Sequence, residues 1–486
     1  MSHRTAIFSK LVSDYARIDV VAVGPDTPLR ACMARMIEAD ASSVVVIDGD
    51  KHPIGILTEQ DVARRVVFRA DAEQPVADVM TADVMTIVSD DYLYFAVARM
   101  RRADLRHMPV IDDDGALVGM LDLADAMADA SAELMAEIDI LTWEGSLDGL
   151  AQIKAAQVDL ADHLMGDNLP ATDIQALLSH INNDIYRRAV DIAIAAMQQD
   201  GRGPPPVEFC VIVMGSGGRS ENYIYPDQDN GFILADYPDE RHTEIDGWFI
   251  DLAVRLTEDL DRIGFPLCKG HVMASNPLWR KSISQWIEQI TIWSRKRNTT
   301  TLRLCDIFFD FRAVWGEAAL AHRLRDHVTA VAGGNLAFLQ EMHADDEDHS
   351  VALGWFGRFI TERDIEAHKG KMNLKHSGTL PLVEAIRLLS LREKIINLST
   401  LARMTALHEA GILKPDEHDY LAGGFKHISR LLLRQQIADF KQGLPVSNYV
   451  DPDGLSAREK DMLTNSFKAI RDLLDRVKGE LTGDIF

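Results

Sequence analysis

Hydrophobic positions in the first 130 residues follow one pattern twice. Each copy has the pattern of a short strand, an amphipathic helix, a buried strand, a tight turn, a further strand and a helix. Residues 19–61 align without gaps with residues 83–125 at an offset of 64, and sixteen of the 43 aligned positions are identical. Asp and Gly residues mark both turns. The repeat therefore predicts two similar α/β units within residues 1–130.

After residue 130 the hydrophobic period becomes that of helices. Apolar residues recur at three-and-four spacing over 147–164 and 174–197, with almost no strand pattern. The segment 201–206, Gly-Arg-Gly-Pro-Pro-Pro, ends this pattern. Short buried-strand patterns follow at 209–214 and 231–234. We therefore predict a helical linker over 131–205 and an α/β domain over 206–330.

Composition limits the classes of function. The chain has 486 residues and a net charge of −24, from 75 acidic and 51 basic side chains. This balance argues against a protein that follows a nucleic-acid backbone, because such binding rests on basic surface. The four cysteines are far apart and show no metal-ligand spacing, so neither a disulfide framework nor a zinc site is expected. With no apolar run of membrane-spanning length and no signal-peptide pattern, we expect a cytoplasmic protein without membrane contact.

The segment between the two strand patterns carries the candidate chemistry. It begins with Gly215-Ser216-Gly-Gly, where glycines let the backbone approach an anion and the hydroxyl adds a donor. Asp227 and Asp229 follow, two residues apart in an extended stretch, so their carboxylates point the same way. Convergent carboxylates beside a phosphate-binding loop are what Mg²⁺ requires. The alternative is a glycine turn followed by a solvated acidic loop.

Residues 214–222 and 227–230 resemble the nucleotidyltransferase superfamily, in particular the N-terminal region of protein-PII uridylyltransferase. The whole chain resembles a group of bacterial signal-transduction proteins. These join such a domain to a pair of regulatory domains and to a C-terminal helical domain, here 331–486. The resemblance implies an NTP substrate, Mg²⁺ or Mn²⁺ held by Asp227 and Asp229, and phosphates held by Gly215, Ser216 and Arg219. The acceptor that it implies is a protein hydroxyl. A non-catalytic nucleotide sensor and a second-messenger synthetase remain alternatives.

The superfamily places a third metal carboxylate on a later strand, and the candidate segment here is 304–312. Strand alternation would put Asp306 and Asp310 on one face, about 13 Å apart, so both cannot meet the same metal pair. Asp310 is favoured because it lies among apolar residues and occupies the aspartate of the family-like stretch Phe-Phe-Asp-Phe-Arg. The alternative is an Asp310–Arg312 ion pair without metal.

The repeated units resemble a tandem pair of CBS domains, through Gly55-Ile-Leu-Thr58-Glu-Gln-Asp61. In that family the pair binds adenosine nucleotides and often forms homodimers. The resemblance implies that Thr58 and Asp61 contact the phosphate and ribose of ATP, ADP or AMP. The second unit has Asp125 at the ribose position but Asp122 in place of the hydroxyl, and that carboxylate would repel phosphate. The alternative is that both positions only cap helices.

The fold class predicted for the chain is therefore α/β and α. A tandem CBS pair over 1–130 is followed by the linker 131–205, a nucleotidyltransferase-fold domain over 206–330 and a helical domain over 331–486. The function predicted is metal-dependent transfer of a nucleoside monophosphate, regulated by an adenosine nucleotide at the CBS pair.

Overall fold

The computed structural model describes residues 10–62, 71–82, 84–127, 146–295, 306–346, 350–354 and 357–482. It divides into two compact units, residues 1–143 and residues 144–486. Across these ranges no helix has the length and apolar content that a membrane crossing requires.

The first unit shows the internal repeat in its backbone. Ser43 pairs with Thr58 in the first hairpin, and His107 pairs with Asp122, each 64 residues later, in the second. The left-handed residues Asp40 and Asp104, with φ of 49° and 52°, also lie 64 residues apart. The sheets have the orders β1-β2-β3-β4 and β5-β6-β7. The elements are β1 Ala22–Val23, α1 Leu29–Glu38, β2 Ser43–Ile47, β3 Pro53–Thr58, β4 Thr81–Ala82, β5 Ile87–Val88, α2 Leu93–Arg102, β6 His107–Ile111, β7 Leu117–Asp122 and α3 Leu123–Met127.

The second unit is built around a four-stranded sheet of order β10-β9-β8-β11. Strand β8 is antiparallel to both of its neighbours, β10 is parallel to β9, and every residue of β8 and β9 is buried. Its elements up to residue 333 are α4 Leu147–Gly166, α5 Ala171–Gln199, β8 Phe209–Val213, α6 Gly215–Gly218, β9 Asn230–Leu234, α7 His242–Ile263, β10 Arg280–Ser282, α8 Ile283–Trp293, β11 Arg312–Gly316 and α9 Ala318–Gly333.

The rest of the second unit is mainly helical. Helices α4 and α5, which the sequence assigns to a linker, pack inside this unit against α7 and against the later helix α13, Pro415–Lys441. The predicted fold class, α/β and α, is confirmed. The remaining elements are α10 Leu336–Asp346, β12 Met372–Asn373, α11 Leu380–Arg392, α12 Thr400–Glu409, α13 Pro415–Lys441, β13 Tyr449–Val450 and α14 Ala457–Thr482.

The strand predicted over 304–312 is wrong for residues 306–311. Residues 304 and 305 lie outside the described part of the chain, residues 306–308 are helical, and 309–310 form a turn. The physical reason lies in the backbone hydrogen bonds. The guanidinium of Arg325 donates to the carbonyl oxygens of Phe309 and Phe311, so this backbone is satisfied by a side chain instead of a neighbouring strand.

Candidate active site

Two adjacent strands bring the glycine loop and the two aspartates to the same end of the sheet. Strand β8 ends at Val213, directly before the loop, and its partner β9 begins at Asn230, directly after Asp229. Val213 pairs with Asn230 in the antiparallel ladder. The Met214 N–H then donates to the Asp229 carbonyl oxygen at 2.9 Å, which holds the two loops against each other.

The carboxylates of Asp227 and Asp229 converge, and the thiol of Cys268 joins them. One ligand atom from each of the three lies within 4.8 Å of the other two. Asp227 is exposed, Asp229 is half-buried and Cys268 is buried. Burial, with the neighbouring Asp227 charge, raises the pKa of Asp229 to about 7. Burial and the Asp229 charge raise the pKa of Cys268 to about 12, so without a cation the thiol holds its proton.

The glycine loop needs its glycines at two positions. Gly215 has φ of 58°, and a Cβ there would lie 3.2 Å from Asp229 Oδ2. A Cβ on Gly218 would lie 1.6 Å from the Asp310 carbonyl oxygen, so no larger residue fits. Ser216 Oγ donates to Asn222 Oδ1 at 3.1 Å, which ties the loop to the segment that follows it.

The space between the glycine loop and the carboxylates suits a cation. Ser216, Gly217, Asp227 and Asp229 line a cavity of about 20 Å³, which has room for a single ion or water. The donors include two carboxylates, which are hard oxygen ligands. Within the described ranges, Asp227, Asp229 and Cys268 are the group of three His, Cys, Asp or Glu side chains that could hold a metal. The donor set therefore fits a divalent ion.

The structure corrects the prediction that Asp310 is a third metal ligand. Asp310 is fully buried, and its carboxylate contacts Arg219 at 2.6 Å, Arg403 at 2.7 Å and Arg387 at 2.8 Å. Arg387 also pairs with Asp306. Three guanidinium groups neutralise the Asp310 carboxylate, and a metal ion brought to it would be repelled by them. Asp310 thus belongs to a buried ionic cluster, and the group that could hold a metal does not include it.

Arg219 is likewise not available to hold phosphate. Its side chain donates to Glu221 at 2.7 Å and to Asp310 at 2.6 Å, and only 11% of it is exposed. Despite burial, the two carboxylates hold the pKa of Arg219 above its usual value. The backbone N–H of Thr400 donates to Glu221 Oε1 at 2.6 Å. Arg219 therefore links the glycine loop to the C-terminal helices.

Lys154 is a site residue that sequence reasoning missed. It lies buried on α4, and its ammonium donates to Gln157 Oε1, Asn182 Oδ1 and the Ile224 carbonyl oxygen at 2.9–3.1 Å. The ammonium also stands 4.5 Å from the ring centre of Phe265. Burial lowers the pKa of Lys154 to about 7. Because Ile224 is three residues before Asp227, Lys154 holds the loop that leads to the carboxylates.

In the first unit, both predicted nucleotide motifs cap short helices. Thr58 Oγ1 accepts from the Asp61 N–H at 3.2 Å and donates to Asp61 Oδ2 at 2.8 Å. In the second repeat, Asp122 Oδ1 accepts from the Asp125 N–H at 3.3 Å. Arg17 donates to Asp125 Oδ2 at 2.7 Å. Both positions thus make the helix-capping hydrogen bonds that the alternative interpretation expects. Ligand binding there stays a prediction.

Comparison with protein families assigns the parts of the chain. Residues 12–67 and 76–130 each match the family "CBS domain". Residues 155–300 match "Putative nucleotidyltransferase DUF294", and residues 337–481 match "Putative nucleotidyltransferase substrate binding domain". The chain belongs to the CBS-domain proteins, and it joins a CBS pair to the two domains of that nucleotidyltransferase family.

Individual relatives each match about a quarter of the chain. An uncharacterised 17.7 kDa protein of Acidianus ambivalens is 34% identical over 121 residues, which are 24% of this chain and 73% of that protein. The uncharacterised protein MK0525 of Methanopyrus kandleri is 31% identical over 118 residues, and the chain covers 60% of its length. The CBS domain protein PAE2072 of Pyrobaculum aerophilum, solved in complex with AMP, is 23% identical, with a TM-score of 0.24 over 26% of this chain and 98% of that one.

Proposed function

We propose that the second unit transfers a nucleoside monophosphate from an NTP to an acceptor in a metal-dependent reaction. The observation that carries this proposal is the convergence of Asp227 and Asp229 beside a glycine loop that accepts no side chain at Gly218. The match of residues 155–300 to a nucleotidyltransferase family supports it.

Asp227 and Asp229 would hold Mg²⁺ or Mn²⁺. When bound, such an ion would stabilise charge on the transferring phosphate and on the leaving pyrophosphate. The backbone N–H groups of Gly215 and Ser216, in the first turn of α6, would contact the phosphates. Asp227 is exposed, so the acceptor would approach from its side of the pair. The chain would thus act chiefly by positioning the reacting groups and neutralising their charge.

We further propose that the acceptor is a protein hydroxyl, by analogy with PII uridylylation. The C-terminal helices support this, because they contact the loop between Arg219 and Asp229 directly. Gln436 Oε1 accepts from the Ile224 N–H at 3.3 Å, and the Thr400 N–H donates to Glu221. The same helices match a substrate-binding domain family. An acceptor bound by these helices would therefore lie close to the reacting groups.

For the first unit we propose that an adenosine nucleotide binds at the CBS pair and regulates the transferase. Thr58 and Asp61 would contact the phosphate and ribose at the first site, and Asp125 would take the ribose position at the second. The second site has a cation, Arg17, beside Asp125. A homodimer formed through the CBS pairs is part of this proposal.

Incubation with labelled NTPs tests the proposal. Purified protein, each labelled NTP, Mg²⁺ or Mn²⁺ and a lysate of the source organism should give a labelled protein band. Asp227→Asn and Asp229→Asn should lower labelling at least about 100-fold, because each removes a charged group from the reacting centre. Asp200→Asn, which breaks an exposed ion pair with Arg255, should label normally.

The other outcomes have separate meanings. A labelled small molecule in place of a protein band would indicate a second-messenger synthetase. No product with any NTP, or equal labelling by wild type and the Asp227→Asn/Asp229→Asn double variant, would contradict the assignment. A chain that binds NTP without turnover would be a sensor.

A further inference from the structure

Cys268 occupies a fixed place beside the two carboxylates. The segment that contains it runs alongside the start of β9, where the Gln228 N–H donates to the Pro266 carbonyl oxygen at 2.9 Å. Two residues further on, the Asn230 N–H donates to the Val272 carbonyl oxygen at 3.0 Å. These two hydrogen bonds bracket Asp229 on one side and Cys268 on the other. The thiol therefore faces the carboxylates because of backbone pairing.

The chemistry of the Cys268 thiol also suits a metal ligand. Cys268 is 7% exposed, and its sulfur lies within 4.8 Å of a carboxylate oxygen from both aspartates. One ion at the usual bond lengths of about 2.0–2.3 Å requires ligand atoms no more than about 4.6 Å apart, so the three side chains would draw slightly closer together on binding it. Asp310, the residue expected to complete the donor set, is held by arginines instead. A third donor is thus present, and it is sulfur.

We propose that Cys268 is the third protein ligand of the metal site and gives it a preference for transition metals such as Zn²⁺ over Mg²⁺. Ligation would form a metal–sulfur bond and release the thiol proton to solvent, without any redox change. Thiolate is a soft ligand that favours Zn²⁺, whereas Mg²⁺ takes oxygen ligands almost exclusively. The inference rests on the proposed function, because it concerns the ion that nucleotidyl transfer would use.

Cobalt serves as a spectroscopic probe for this sulfur ligand. Full-length protein is freed of metal with a chelator and titrated with Co²⁺, while near-ultraviolet absorption is recorded. We expect an intense thiolate-to-cobalt charge-transfer band in wild type that Cys268→Ser removes. Cys210→Ser is the matched control, since Cys210 is a buried thiol of the same unit whose Sγ contacts the Val211 carbonyl oxygen, and it should keep the band.

Calorimetry separates ligation from a packing role. Cys268→Ser should weaken Zn²⁺ binding at least about 10-fold and Mg²⁺ binding by less than about threefold. Cys268→Asp should raise affinity for Mg²⁺ relative to Zn²⁺, and circular dichroism checks that each variant folds. Equal losses for both ions would show a packing role and overturn the proposal.

The two proposals fail in distinguishable ways. If labelled NTP is transferred but wild type gives no charge-transfer band, or if the band persists in Cys268→Ser, the ligand assignment is wrong and nucleotidyl transfer stands. If the band forms and depends on Cys268 but no NTP labels any product, the ligand assignment stands and nucleotidyl transfer is wrong.

Discussion

Asp310→Asn removes the negative charge that Arg219, Arg387 and Arg403 contact in the core of the second unit. The carboxylate is fully buried, and its three contacts lie between 2.6 and 2.8 Å. Removing one partner of a buried ion pair costs about 3–5 kcal/mol, because the remaining charge stays desolvated. Asp310 neutralises three guanidinium groups, so we expect a loss of about 4–5 kcal/mol in the free energy of unfolding.

Urea unfolding followed by tryptophan fluorescence measures this loss. Six of the seven tryptophans lie in residues 144–486, so the signal reports on the second unit. Asp200→Asn is the control, since its pair with Arg255 is exposed and should contribute less than about 1 kcal/mol. An Asp310→Asn protein with wild-type stability and no transferase activity would refute this reasoning, because it would make Asp310 a reacting group.

Three further predictions concern Asp229, the glycine loop and the CBS pair. Burial and a neighbouring charge raise the pKa of Asp229 from its ordinary value of 3.8 to about 7. At pH values above 3.8 the unfolded chain therefore ionises this carboxyl more readily than the folded protein does, which destabilises the metal-free protein. Asp229→Asn should therefore raise the free energy of unfolding by up to about 4 kcal/mol near pH 8 and by less near pH 5, measured by urea titration with a chelator present. A gain that is smaller near pH 8 than near pH 5 would contradict this prediction. Gly218→Ala should destabilise by at least about 2 kcal/mol in the same titration, whereas Gly247→Ala on α7, where a Cβ meets nothing within 4 Å, should not destabilise. Asp61→Ala should weaken adenosine-nucleotide binding to the full chain by roughly 1–3 kcal/mol in calorimetry, and unchanged affinity would leave Asp61 only its capping role.

The sequence was sufficient to predict those structural features that depend on local patterns of residues. The offset of 64 between repeats predicts equivalent strand pairs, and the structure has them at Ser43–Thr58 and His107–Asp122. The glycine loop and the two aspartates lie within fifteen residues of one another, and strand pairing brings them to one end of the sheet. Each of these features follows from side-chain period and backbone geometry over short distances.

Features that depend on contacts between distant residues could not be predicted in this way. The partners of Asp310 are 77 residues away at Arg387 and 91 residues away at Arg219. A buried aspartate that binds a metal and one that pairs with arginines have the same sequence surroundings. The spacing of hydrophobic residues alone therefore could not distinguish the two cases. Lys154 did leave a signal, because it occupies the apolar face of α4 beside the buried Ile153 and Val158. A lysine at such a position needs polar partners, and these come from α5 and the site loop.

The loop between Arg219 and Asp227 is held by four different helices. Glu221 accepts from α12, the Asn222 N–H donates to Ser179 on α5, and Ile224 contacts α4 through its carbonyl and α13 through its N–H. Such a loop cannot move without breaking buried hydrogen bonds, so the position of the carboxylates is set before any ligand arrives. Helix α4 is also the first described element after the CBS region. A shift of α4 would break the hydrogen bond between Lys154 and the Ile224 carbonyl oxygen, so this helix and the loop hold one another in place.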